Sequence, residues 1–265
     1  MLEFLREFFG YGGYNRTPEG YMSWQHLVFV STLMAVMIGL AVWLGLRNKN
    51  KEEKIKNKVL IWAAILIDGF EILKFIIVCT RENSAEPMLR MLPLFLCSIQ
   101  LITIPLAAFS KGRVKEAALD FVFIFGILGA LTGTYGAGQN YNAYPVLSFD
   151  NVVSGITHAI SGFASLYIAI SRMTSMKPKN MWITFTILLG FCVAAYIANV
   201  TIPYNYMFLM AGDGTPYDIF YNMVGGNKVL YPMIVVLLFV LYVSIFYVIY
   251  FLVRKSKAKK QAKHA

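Results

Sequence analysis

The chain alternates long apolar runs with short charged ones. Runs of about twenty apolar residues have the length a helix needs to cross a bilayer. They predict seven helices, at roughly 24–46, 59–79, 91–109, 117–137, 152–171, 181–201 and 229–253. The connecting segments carry their charge unevenly. Arg47–Lys58, Ser110–Ala118, Arg172–Asn180 and the tail from Arg254 hold eighteen Lys and Arg, and the segments between them hold five. The two sets alternate, so the positive-inside rule places the N-terminus outside and the C-terminus in the cytoplasm. The expected fold is an all-α membrane protein, a bundle of seven transmembrane helices. Its parts are an N-terminal interfacial segment (1–23), a membrane domain (24–253) and a basic cytoplasmic tail (254–265).

Composition agrees with this pattern: 58% of the 265 residues are hydrophobic, more than a soluble domain of this size requires. The net charge of +10 does not indicate nucleic acid, because topology accounts for its distribution. The tail reads as an anionic-lipid contact or a topology signal, and His264 within it carries no assigned role. Met1–Phe9 places Leu2, Leu5, Phe8 and Phe9 at helical spacing, as in a helix lying along a membrane surface. The first long apolar run starts near Trp24 and is too long for a cleavable signal. Cys79, Cys97 and Cys192 all fall in apolar runs, which gives neither a disulfide framework nor a metal site. No cofactor motif is present. The outer segments Tyr135–Asp150 and Pro203–Asn227 are rich in Tyr, which suits an interfacial belt.

The informative residues are polar groups inside the apolar runs, where they are costly unless satisfied or used. With the topology above, the third helix enters from outside and puts Cys97 roughly 10 Å deep at 1.5 Å per residue. The fifth helix, through NVVSGITHAISG, puts His158 at the same depth, about 10 Å. His26 lies near the start of the first helix. Glu71 and Lys74 fall in the outer half of the second, and Asp68 nearer its middle. Asn199 ends the sixth, with Asn205 and Tyr206 just beyond. These groups gather on one side of the membrane. Ser154, Gly155, Ser161 and Gly162 flank His158 and permit close helix approach. Pro105 can kink the third helix below Cys97.

A thiol at that depth needs a base to take its proton as it attacks, and a histidine serves. Cysteine plus histidine then suffices for acyl transfer through a thioester. Gln100, Asn205 or Tyr206 could donate to the oxyanion, and Glu71 could orient a histidine or pair with Lys74. The catalytic candidates are Cys97 and His158. Substrate-binding or supporting candidates are His26, Glu71, Gln100, Asn205 and Tyr206, with no metal ligands. In a bilayer the available ester is a phospholipid, whose acyl bonds lie close below the headgroups.

Four blocks in order carry a resemblance over about residues 22–250. They are SWQHL in the first helix, LPLFLCS in the third, GITHAISG in the fifth and NYMFL after the sixth. Together they resemble the YwaF-like integral membrane proteins, a bacterial group related to the animal transmembrane protein 164 family. The resemblance implies a lipid acyltransferase that moves a fatty acyl chain from phosphatidylcholine to a lyso-ether phosphatidylethanolamine. It implies a Cys and a His in that role, matching Cys97 and His158. A more distant similarity reaches the androgen-induced hydrolases, which cleave fatty-acid esters of hydroxy fatty acids with a Thr and a His. Phe95 departs from a polar residue, often His, at that place in bacterial relatives.

The expected activity is a membrane-embedded lipid acyltransferase or ester hydrolase in a bacterial plasma membrane, with membrane phospholipids as partners and no cofactor. The alternative is a non-enzymatic binder or transporter, in which His26, Glu71, Gln100, His158 and Asn205 line an outward-facing pocket.

Overall fold

The computed structural model describes residues 2–174 and 176–262. The first residue of the expected interfacial segment and the last three of the basic tail, His264 among them, therefore lie outside the described residues. Helices account for the secondary structure, and no strand occurs among the described residues. In chain order they are α1 (Leu2–Phe9), α2 (Trp24–Asn48), α3 (Glu53–Glu82), α4 (Pro87–Arg90), α5 (Gln100–Phe109), α6 (Gly112–Thr132), α7 (Gly138–Ala143), α8 (Phe149–Ile170), α9 (Pro178–Thr201), α10 (Asp218–Met223) and α11 (Leu230–Ala262). A 3-10 turn, Tyr206–Phe208, follows α9.

Four of these helices, α2, α8, α9 and α11 up to Ser256, are long and apolar enough to cross a membrane. The hydropathy runs at 59–79 and 117–137 appear as α3 and α6, which carry more charge. α3 holds Asp68, Glu71 and Lys74. The run at 91–109 departs from expectation. Only its second half is helical, as α5, and residues 91–99 are irregular, bends followed by a turn at 96–99. Two sequence features explain the break. Pro93 has no N–H to give and pushes Leu92 out of the helical region. The Ser98 hydroxyl accepts from Phe95 N at 2.9 Å and lies 3.1 Å from Phe95 O, a local bonding pattern that competes with a helix.

The chain divides into two compact units, Met1–Thr174 and Ser175–Ala265. In the first, α8 is the central element and packs on α2, α3 and α6, with α5 between α3 and α6. Its membrane-length window is 56% buried, against 22% for α2. The core joins Leu60, Ala64 and Ile67 of α3 to Ile104 of α5, Val122 of α6, and Ala164 and Ile168 of α8. In the second unit, Thr184 of α9 meets the Tyr247 hydroxyl of α11 at 3.1 Å. There Asn199 grips the chain beyond α9, donating to Tyr206 O at 2.9 Å and accepting from Tyr206 N at 2.7 Å.

The start of α8 is pinned by two devices. Ser148 caps it, accepting from Asn151 N at 3.3 Å. Arg81, at the end of α3, grips Asp150 with both guanidinium nitrogens, at 2.7 and 3.1 Å. Tyr14 donates a short hydrogen bond to the same carboxylate, so α3, α8 and the N-terminal segment meet at one point. Burial, then the Asp150 hydrogen bond, push the Tyr14 phenol well above its ordinary range. Its contribution is thus complete below that range and is lost only as pH rises through the raised value.

The Arg81 and Asp150 side chains are 11% and 10% exposed. Removing either one leaves the other charge buried and unpaired. Arg81→Ala and Asp150→Ala should therefore each destabilise the first unit by about 3–5 kcal/mol, read as the unfolding midpoint in detergent. The double change Arg81→Met/Asp150→Leu should recover part of that loss. Single changes worth less than about 1 kcal/mol would mean that the pair is solvated like a surface bridge.

Candidate functional site

Cys97 sits on the last turn before α5, where Gln100 N donates to Cys97 O at 3.3 Å and Ile99 N to Phe95 O at 2.9 Å. Ser98 fixes this turn through its two contacts with Phe95. Cys97 thus stands at the mouth of a short helix, not along a continuous one.

His158 lies on α8. Its Nδ1 is 2.7 Å from Ser154 O and 3.5 Å from Ser154 Oγ. A carbonyl can only accept, so Nδ1 carries the hydrogen, and in the neutral ring Nε2 keeps the lone pair. That nitrogen is the one a general base needs.

The two side chains meet the same face of α6. A β-carbon built on Gly129 would lie 3.4 Å from Cys97 Cβ, and one built on Gly133 would lie 2.0 Å from His158 Nε2. Positions four apart on a helix are neighbours, about 5–6 Å between β-carbons. Cys97 and His158 therefore occupy successive turns of one glycine surface, and no hydrogen bond joins them among the described residues. Both are partly accessible. Gly126, one turn further along, meets the backbone: its β-carbon would lie 2.6 Å from Ser161 O. The signal for this floor was present in the sequence, as glycines at 126, 129 and 133, spaced to share one helix face.

The remaining candidates divide. Glu71 and Lys74 form a loose pair at 3.8 Å with side chains 14% and 23% exposed. Gln100 is fully buried one turn past Cys97. Its Oε1 lies 3.1 Å from Thr103 Oγ1, while its Nε2 has no hydrogen-bond partner among the described residues. Such an orphan costs about 1–3 kcal/mol. His26 is buried with both nitrogens engaged. Met22 N donates to Nδ1 at 3.2 Å, and Nε2 lies 3.1 Å from Thr134 O. The ring also packs on Tyr141, with centroids 3.9 Å apart. His26 therefore clamps the chain just after Gly133 from the α2 side. Asn205 and Tyr206 belong to the second unit. The Asn205 amide donates to Ala211 O and Asp213 Oδ2 and accepts from Met210 N, at 2.8, 2.7 and 2.8 Å. Tyr206 is held by Asn199.

The family model described as the TMEM164 family matches residues 21–250. This chain belongs to the TMEM164 family. It is accordingly an integral membrane protein, and the expected kinship to the transmembrane protein 164 family holds over nearly the whole chain. No curated protein and no solved structure matches it. Within this member of the TMEM164 family, the matched region contains every candidate side chain described above.

Gly133→Ala should displace the His158 ring, because no side chain tolerates an atom 2.0 Å away. Gly129→Ala, at 3.4 Å from Cys97 Cβ, should shift its neighbour by only a few tenths of an ångström. The expected readout is a clear fall in thermal stability or a changed His158 imidazole NMR signal for the first, and a small effect for the second. Gly69→Ala, with no atom within 4 Å, is the neutral control. Equal effects at Gly133 and Gly69 would mean that the ring does not rest on α6.

Proposed function

We propose that this protein is a membrane-embedded lipid acyltransferase or ester hydrolase, with Cys97 as nucleophile and His158 as general base. The observation that carries the reading is the seating of both side chains on successive glycine turns of α6, with the His158 lone pair at Nε2. The resemblance to acyl-transferring relatives supports it. In the attack, the Cys97 sulfur bonds to an ester carbonyl carbon and its proton passes to His158 Nε2. The tetrahedral adduct collapses, the alkoxy oxygen leaves with the proton from His158, and a thioester remains. Water or a lysolipid hydroxyl then attacks that thioester, again giving its proton to His158, and the thiol is regenerated. The carboxylate and ammonium of Glu71 and Lys74 bias the field around the thiol.

The proposal includes the seven-crossing topology. It adds α3, α6 and the broken segment with α5 to the four long apolar helices, with the N-terminus outside and the basic tail in the cytoplasm of a plasma membrane. The site then faces outer-leaflet phospholipid just beneath the headgroups.

Purified protein given labelled phospholipid and lysolipid should move or release the acyl chain. His158→Ala should lose about 10²–10⁴ in rate, the usual worth of a general base, and Cys97→Ala should lose essentially all turnover. Cys97→Ser separates an enzyme from a binder, because a thiol enzyme loses most of its rate while ligand binding survives. Turnover unchanged by all three substitutions would sink the reading.

A further inference from the structure

We infer that Gln100 is the side-chain donor that receives the oxyanion when Cys97 is acylated. The inference rests on the acyl-transfer reading and names a third participant in it. Gln100 follows Cys97 by three residues, and the bond from Gln100 N to Cys97 O gives the intervening turn helical character. Residues three apart on a helical turn share a face. The Gln100 side chain is fully buried, in a part of the chain read as lying inside the membrane. Its oxygen is close to the Thr103 hydroxyl at 3.1 Å, which fixes the amide plane and leaves Nε2 without a partner.

A buried amide N–H that serves only packing is normally paired. This one has no partner among the described residues. An acceptor supplied from outside completes it. When Cys97 Sγ bonds to an ester carbon, the carbonyl π pair moves onto oxygen and the thiol proton moves to His158 Nε2. The new O⁻ is the acceptor for Gln100 Nε2. It re-forms the carbonyl as the alkoxy group leaves. Preorganised donors of this kind speed the step because they bind the charge that develops, not the ground state.

The test uses the full chain in detergent and two reagents for the same thiol. A p-nitrophenyl octanoate ester acylates Cys97 through an oxyanion, whereas iodoacetamide alkylates it without one. Gln100→Leu and the near-isosteric Gln100→Glu should slow octanoylation by about 100-fold, the usual loss for one such donor, with alkylation within about twofold of wild type. Thr103→Val, which frees the amide plane, should slow octanoylation less and leave alkylation unchanged. It keeps the inference testable if neither Gln100 variant folds. Octanoylation within about threefold of wild type in the Gln100 variants, or alkylation falling in parallel, overturns the donor role and makes Gln100 structural. The donor role fails equally if Thr103→Val leaves octanoylation unchanged. A wild-type Cys97 that alkylates but never acylates overturns the acyl-transfer reading itself.

Discussion

The arrangement depends on how closely α8 and the Cys97 turn approach α6. At Gly126 the main chain of α8 comes so near that a β-carbon would sit 2.6 Å from Ser161 O. At Gly133 the His158 ring fills the place a side chain would take. In hydrocarbon the hydrophobic effect does not drive helices together, so packing and hydrogen bonds must. Small residues make both possible. Ser161 and Ser165 of α8 donate to Gly126 O and Phe123 O of α6 at 3.3 and 2.7 Å, bonds that larger residues at the interface would prevent. The close contact also explains why a histidine can sit half-open beside a helix without being expelled toward lipid.

The broken segment before α5 follows the same logic. Backbone that is not helical must find partners elsewhere inside a membrane, and it is tolerated only where it is buried in protein or lines a cavity. Residues 91–99 meet this condition with turn bonds, the Ser98 contacts and packing against Gly129. What the break achieves is local. It brings Cys97 to the turn just before the first residue of a helix, where main-chain donors converge.

Hydropathy made the long helices legible, because an apolar run about twenty residues long bounded by charge has few other solutions. It could not reveal the break in 91–109. Periodicity cannot separate a buried turn from a buried helix within one apolar run, although Pro93 was a warning. Depth reasoning brought Cys97 and His158 to one level and, in the structure, they share one surface of α6. It could not tell His158 from His26. Both are histidines near the start of apolar helices, and only three-dimensional bonding separates a ring with both nitrogens engaged from one with Nε2 unengaged. The glycine floor is easily missed because glycine carries no chemistry of its own. Asn205 and Tyr206 showed in sequence only as polar residues after a helix, and the bonds that fold their loop depend on partners up to eight residues away.

The network outside the site has a consequence for its precision. His158 lies eight residues beyond Asp150, about 12 Å along α8 at 1.5 Å per residue. Its height relative to α3 is therefore set where Arg81 holds Asp150. Its height relative to α6 is set where Gly126 meets Ser161 and where Gly133 meets the ring. His26 fixes the end of α6 from a third helix through Thr134 O. Three helices thus register one imidazole, while the Ser98 turn registers the thiol separately. Two side chains held by independent supports can stay in register without a hydrogen bond between them. In the proposed mechanism, such an arrangement lets nucleophile and base share a proton only when an ester lies between them. Catalytic hydrogen bonds are commonly long or absent until substrate is bound, so the lack of a Cys97–His158 hydrogen bond among the described residues is compatible with the proposed roles.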